Sequence, residues 1–380
     1  MTQTQTRAAL ILTGGGARAG YQVGVLKAIR ELLPEPRRNP FPILCGTSAG
    51  ALNAASMAVW AEDFGAGVDN LLQVWENFSA HQVYRADPAG IGVAGARWLS
   101  TLALGWLTRR APRSLLDNAP LRRLLGDSLD FGRIAQAIES GALHSVSITC
   151  SGYSSGQSVS FFQGRAGLEG WRRSQRIGAP AAITLDHLMA SSAIPFIFPA
   201  VHLNREWFGD GSMRQVAPVS PAIHLGADKI LVIGAGRLAD ENARPVGSTY
   251  PSLAQIAGHA LSSIFLDSMS VDLERMSRIN RTLALIPESV RIDKAMTLRP
   301  IDVLVIAPSQ RLDHLAARHA RALPWAVRTL LRGVGAMNQN GGALTSYLLF
   351  EQPYTRALIA LGYADTMARS DEVLQFLDIT

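Results

Sequence analysis

The sequence predicts an α/β fold: a mainly parallel central sheet sandwiched by helices, followed by a helical C-terminal extension. Three observations carry this. Short apolar runs rich in β-branched or aliphatic residues recur at 8–12, 42–45, 229–233 and 302–306, the pattern of strands buried on both faces. The first two runs each lead through a glycine-framed loop into a segment of helical periodicity. Strand-like and helix-like segments then alternate along the chain, the order expected of a parallel sheet with crossover helices.

The elements follow in order. Ala8-Ala9-Leu10-Ile11-Leu12 is the first strand, and Gly14-Gly15-Gly16-Ala17-Arg18 the loop after it. Val23, Leu26, Ile29, Leu32 and Leu33 then form one apolar helical stripe, which Pro34 and Pro36 close. Pro42-Ile43-Leu44-Cys45 is the second strand, leading through Gly46-Thr47-Ser48-Ala49-Gly50 into a helix that runs to about Trp60. Residues 62–140 read as mostly helical, with breaks at Pro88, 90–95 and Pro112. Runs at 145–150 and 158–162 flank the turn Ser154-Ser155-Gly156-Gln157, which predicts a hairpin. Strands at 229–233 and 302–306 follow, and from about 310 the pattern is helical. The expected division is a domain over 1–310 with a helical extension, 311–380, packed on it.

A chain of 380 residues that is 48% hydrophobic can bury a large core. Its net charge is +6, carried almost wholly by arginine, because lysine occurs only at Lys27, Lys229 and Lys294. That balance suits contact with an anionic membrane surface. No run of Lys/Arg exceeds two residues and no zinc-finger spacing is present, so nucleic acid is not an expected partner. The apolar segment 91–107 is interrupted by Arg97 and falls short of the roughly 20 residues of a spanning helix. With Trp98, Leu102, Trp106 and the flanking Arg109, Arg110, Arg113, Arg122 and Arg123, it is where peripheral membrane contact is expected. Two cysteines, Cys45 and Cys150, both in strands, fit a reducing compartment, and the N-terminus lacks an apolar stretch of signal-peptide length. A cytoplasmic protein, with peripheral membrane contact left open, is the expectation. His314 and His319 are five apart and do not share a helix face, so no metal and no cofactor are expected.

The two loops carry the chemistry. Gly46-x-Ser48-x-Gly50 between a strand and a helix is a nucleophile elbow, a turn tight enough to lift one hydroxyl clear of the sheet. Glycines 14–16, opening the preceding helix, can turn backbone N–H groups toward a developing oxyanion. Nucleophile plus oxyanion donors reads as acyl transfer. An α/β-hydrolase brings its serine after several strands, whereas Ser48 follows only two. Both loops are expected at the C-terminal edge of neighbouring parallel strands, where open α/β sheets place their sites.

These residues resemble the patatin-like phospholipase family. The matching pieces, in order, are Gly14-Gly15-Gly16-Ala17-Arg18, Gly46-Thr47-Ser48-Ala49-Gly50, Ala190-Ser191-Ser192-Ala193-Ile194-Pro195 and Asp210-Gly211-Ser212. Ala19 stands where the family has glycine after the arginine, and Ser212 where it has glycine or alanine. The resemblance implies a Ser–Asp dyad without histidine, with Ser48 as nucleophile and Asp210 as base. It also implies an oxyanion hole around Gly14, Gly15, Gly16 and Ala17, with Arg18 bracing the loop or lying near substrate. The implied substrates are acyl esters of phospholipids, lysophospholipids or related lipids. Trp207 and Phe208 would supply apolar bulk beside Asp210, and His224 and His259 would not be catalytic.

Two other readings compete. One is a non-catalytic lipid-binding or regulatory protein of the same fold, against which Ser48 and Asp210 are both present. The other is a dinucleotide-binding oxidoreductase, since Gly14-x-Gly16-x-x-Ala19 fits a relaxed Rossmann fingerprint. That fingerprint wants an acidic residue ending the second strand, and here the strand ends in Gly46-Thr47-Ser48.

Overall fold

The structure, a computed structural model, describes residues 7–87, 114–236, 252–293, 298–333, 335–336 and 342–379. The segment 91–107 and the arginines at 109, 110 and 113, where membrane contact was expected, lie outside the described residues.

Among the described residues ten strands form one sheet: β1 (Ala8–Leu12), β2 (Ile43–Thr47), β3 (Ser145–Gly152), β4 (Ser158–Gly164), β5 (Trp171–Arg173), β6 (Arg176–Pro180), β7 (Val201–Leu203), β8 (Glu206–Asp210), β9 (Lys229–Ile233) and β10 (Asp302–Ile306). The main order is β10-β9-β1-β2-β3-β4-β6-β5, with β7 and β8 off this path. The five strands from β10 to β3 are all parallel. The mainly parallel sheet and the β3–β4 hairpin are as the sequence predicts. The edge strands β5–β8 go beyond it.

Alternation along each central strand sends side chains to two cores. Leu10, Leu12, Leu44, Leu231 and Ile233 face one side, while Ala9, Ile11, Ile43, Ile230 and Val232 face the other. The first face is covered by the helices that follow β1 and β2, α1 (Gly20–Leu32) and α2 (Ala49–Val59), and by α3 (Phe64–Glu76). The second is covered by Val219, Ala222 and Leu225, around the short helix Ser220–His224, and by Met269 and Met276 of the helix Leu253–Ala284. That long helix starts at a capping box: Ser252 Oγ accepts the Gln255 N–H and Gln255 Oε1 accepts the Ser252 N–H. No helix among the described residues is long and apolar enough to cross a membrane.

The C-terminal helices pack on this frame. Helix Gln352–Met367 lies along α1 at backbone contact, so that a Cβ on Gly24 would stand 2.0 Å from the Ile359 carbonyl oxygen. Gly362 meets the Tyr21 carbonyl in the same way, at 2.1 Å. Helix Gly342–Leu348 reaches the glycine loop after β1.

Candidate active site

Strand register delivers the two key side chains to one place. β4 occupies one edge of β3 from Ser145 to Ser151. On the other edge β2 runs parallel to β3 up to Thr47, opposite Thr149. β8 takes up that same edge from the far end, running antiparallel, and its last residue, Asp210, lies opposite Cys150. Two strands therefore meet head to head against consecutive residues of β3. Ser48 follows the tip of one and Asp210 is the tip of the other.

Ser48 is buried and has φ 54° and ψ −129°, a left-handed conformation that a non-glycine residue adopts only when its surroundings impose it. The surroundings are visible. Its N–H donates to Ser191 Oγ at 2.9 Å, and the Ser191 hydroxyl donates to the Thr149 carbonyl at 2.7 Å. Gly46 is the penultimate residue of β2, where a Cβ would stand 2.5 Å from the Gly50 carbonyl oxygen, and Gly50 lies so near the end of β1 that a Cβ would sit 2.2 Å from the Leu12 carbonyl oxygen. Any side chain at position 50 would push α2 off the sheet.

Asp210 is buried at the end of β8, its N–H donating to the Ala193 carbonyl. Its Oδ1 accepts the Ser212 N–H at 2.9 Å, while Oδ2 is buried with no hydrogen-bond partner, as is the Ser212 hydroxyl. Burial pushes the carboxyl from its ordinary 3.8 up to about 6, against the Ser48 and Ser212 groups beside it, which favour the charged form. Gly211 and Ser212 open a 3-10 turn, Gly211–Arg214, directly after the carboxylate. Of the two residues expected to shield Asp210, Phe208 is buried against Phe161 but Trp207 is half exposed and points away. Neighbouring residues of a strand face opposite sides, so only one of the pair can serve.

The glycine loop sits beside the elbow. Gly15 caps the 3-10 turn Gly16–Ala19, which runs into α1. The N–H groups of Gly14, Gly15 and Gly16 donate to nothing among the described residues. Gly16 has φ +55°, and a Cβ there would stand 2.3 Å from the Tyr347 carbonyl oxygen, so glycine is required twice over. Arg18 braces this loop. Buried, it donates from Nε to Ser346 Oγ at 2.8 Å and from Nη1 to the Tyr347 hydroxyl at 3.1 Å, with its guanidinium 4.0 Å from that ring. Ala17 and Ala19 are fully buried in the same turn. From the other side Thr13 ties the loop to the exit of β9, its hydroxyl donating to the Ile233 carbonyl and accepting the Ala235 N–H.

Gly16 and Ser48 open into one apolar pocket, walled by Leu52, Trp75, Phe78, Val83, Phe198 and Phe350. Its free space is about 30 Å³, room for a water molecule and not for an acyl chain.

No histidine among the described residues hydrogen-bonds Ser48 or Asp210. His224 stacks on Trp171 at 4.8 Å, and burial together with Arg173, Arg176 and Arg299 pushes it down to about 4. His259 is exposed on the long helix Leu253–Ala284. Cys45 and Cys150 are buried free thiols, both raised in pKa by burial. Among the described residues no group of three or more His, Cys, Asp or Glu is disposed to hold a metal ion.

The segment 190–195 does more than its motif announces. Ser191 holds the backbone of the elbow and the Ala193 carbonyl holds the backbone of Asp210, so one short stretch positions both. Its place in the ordered pattern is the sequence signal. The two contacts themselves have none, since the partners are far apart along the chain.

The model of the patatin-like phospholipase family matches residues 10–223, more than half of the chain. A cGAMP-activated phospholipase of Pseudomonas aeruginosa (strain BWHPSA011 / Pa011) is 27% identical over 233 residues, 59% of this chain and 58% of that protein. The chain thus spans a little over half the length of that curated relative. Among solved structures, VipD from Legionella pneumophila is 12% identical, with 97% of this chain and 67% of that one covered and a TM-score of 0.39. Human GIVD cytosolic phospholipase A2, solved with a fluorophosphonate inhibitor, is 14% identical, with 100% of this chain and 60% of that one covered and a TM-score of 0.43.

Proposed function

This chain belongs to the patatin-like phospholipase family, and from that premise we propose that it is a serine acyl hydrolase cleaving acyl esters of phospholipids, lysophospholipids or related lipids with a Ser48–Asp210 dyad. The observation that carries the reading is the buried Asp210 Oδ2, without a partner, at the junction where β8 meets the elbow of Ser48. An orphaned buried carboxylate oxygen is costly, and a proton acceptor for an attacking hydroxyl needs such a free position.

In this mechanism Ser48 Oγ attacks the acyl carbonyl carbon as its proton passes to Asp210. The carbonyl oxygen takes up the negative charge within reach of the free Gly14–Gly16 amides. Collapse of the tetrahedral species expels the alcohol, which leaves with the proton from Asp210. Water then attacks the acyl-enzyme, giving a proton to Asp210, and Ser48 Oγ leaves with that proton as the fatty acid is released, restoring both groups. The apolar walls around Leu52, Phe78 and Phe350 suit an acyl chain. Two buried free thiols support a reducing, cytoplasmic setting.

The test is a panel of phospholipids, lysophospholipids and short p-nitrophenyl esters, combined with labelling by a fluorophosphonate. Wild type is expected to hydrolyse esters and to be labelled at Ser48. Folded Ser48→Ala should lose both, keeping only the modest rate that oxyanion donors and binding supply. His224→Ala and His259→Ala should each stay within about tenfold of wild type, ~1.4 kcal/mol in barrier. Undiminished turnover by Ser48→Ala, or the collapse of a folded histidine variant, would overturn the dyad.

A further inference from the structure

The edge of the sheet that holds Ser48 and Asp210 is crowned by apolar and cationic groups that the reaction does not use. Tyr153, Trp207 and Val216 are each about half exposed, and Met213 is exposed too. Tyr153 and Trp207 lie side by side at the carboxylate strand, and Met213 and Val216 follow Asp210 shortly along the chain. The Tyr153 N–H donates to the Trp207 carbonyl at 3.0 Å, and the Tyr153 ring lies over Gly209, next to Asp210. Met213 belongs to the turn directly after Asp210. β8 starts beyond the end of β3 and runs back down it, so the turn before it, with Arg205, projects past the sheet edge. Arg214 lies against the β3–β4 turn, at Gly156. The β5–β6 hairpin ends level with the same edge, because Arg176 pairs with Ser158 and Ser158 with Ser151.

The charge on this crown has one sign. Segments 153–157, 172–176 and 202–216 contain Arg172, Arg173, Arg176, Arg205 and Arg214 against only Glu206 and Asp210. Both carboxylates are taken up internally: Asp210 is buried, and Glu206 Oε1 accepts the N–H groups of Ser154 and Ser155 at 2.7 and 2.5 Å. None of the five arginines forms an ion pair among the described residues. Exposed aromatic and methionine side chains set among unpaired arginines match the headgroup layer of an anionic bilayer, where Trp and Tyr rings settle and cations meet phosphates.

We propose that this crown is the surface by which the protein docks on an anionic phospholipid bilayer, with Tyr153, Trp207, Met213 and Val216 entering the headgroup region and Arg205 and Arg214 meeting lipid phosphates. The inference rests on reading the Ser48–Asp210 edge as a lipid-hydrolysing site, and it names the physical form in which that site meets its substrate. It concerns turns around the proposed dyad, while the expected contact through residues 91–107 lies outside the described residues.

Binding and hydrolysis are read separately. Full-length Ser48→Ala protein, which leaves lipid intact, is mixed with vesicles of phosphatidylcholine alone or with phosphatidylglycerol added, and the bound fraction is measured by sedimentation. Anionic vesicles should bind it, and added salt should weaken that binding. Adding Trp207→Ser and Met213→Ser should weaken it by about tenfold or more, and Arg205→Gln or Arg214→Gln by roughly fivefold each on anionic vesicles only. Brominated lipid should quench tryptophan fluorescence in Ser48→Ala protein and quench it less once Trp207→Phe is added. In an otherwise wild-type background, the same crown substitutions should leave kcat/KM on a soluble ester within about twofold, because none of these side chains holds reacting atoms. Unchanged vesicle binding by the crown variants would overturn the proposal, as would an equal loss on soluble ester, or wild-type crown binding only to another protein and to no vesicle. If wild type hydrolyses no ester at all, the hydrolase reading fails, and the vesicle assay still decides the surface.

Discussion

A carboxyl group at the end of β8 gives the proposed hydrolase an expected pH dependence. Asp210 is raised from 3.8 to about 6 because burial penalises its charge more than its neighbours relieve it. As a base it works only when ionised, so kcat/KM on a neutral soluble ester should climb with pH through about 6 and level off above it. A flat profile between pH 5 and 8 would contradict its role as base. The same shift has an opposite effect on stability. A native pKa above the unfolded one means that the native state binds the proton more tightly. The stabilisation is therefore complete below about pH 4 and is lost as pH rises through about 6. At pH 7.5 the charged group costs roughly 3 kcal/mol, about two pKa units at 1.36 each. Asp210→Asn should then abolish turnover yet raise the urea midpoint at pH 7.5, with the gain shrinking toward pH 5. A variant less stable than wild type at pH 7.5 would show that the carboxylate is better solvated than its burial implies.

Among the elements, α1 and helix Gln352–Met367 meet with little tolerance. Gly24 and Gly362 each press backbone against backbone, so a branched side chain at either must separate the two helices. Gly24→Val should cost about 3 kcal/mol or more, seen as a large drop in Tm. Activity should fall with it, because the chain just before that helix holds Arg18 of the glycine loop after β1 through Ser346 and Tyr347. A Tm within a degree or two of wild type would contradict the packing. What the sequence made legible follows the same physics. β1, β2, β9 and β10 announce themselves because strands covered on both faces must be apolar throughout, and β3 and β4 because a turn signal separates them. Trp171–Arg173, Arg176–Pro180 and Glu206–Asp210 carry charges, glycine or proline, and Val201–Leu203 is only three residues long with a histidine at its centre, because no such uniformity is imposed at the sheet margin. The motifs of the site were readable as local turns. The grip of Ser191 on Ser48, and of Ser346 on Arg18, arises from residues brought together only by the finished fold.

At the scale of the whole molecule, the dyad mechanism draws its proton acceptor and its oxyanion donors from the protein itself. Hydrolysis of a soluble ester should therefore survive exhaustive dialysis against EDTA. A reproducible loss restored by one divalent ion would reveal a component absent from this mechanism. The head-to-head meeting of β2 and β8 has a further consequence, for insertions and deletions. The reach from hydroxyl to carboxylate is stored as a registration of two strand tips on a common ruler, β3, and not in the length of chain that separates them. One residue inserted between Phe208 and Gly209 should slide the carboxylate by about 3.3 Å and turn it to the opposite face of the sheet. A residue inserted between Asn204 and Arg205, beyond the ruled portion, should only lengthen the hairpin. Hydrolysis of a soluble ester should vanish in the first case and persist in the second, and equal outcomes would mean that the two tips are not indexed through β3.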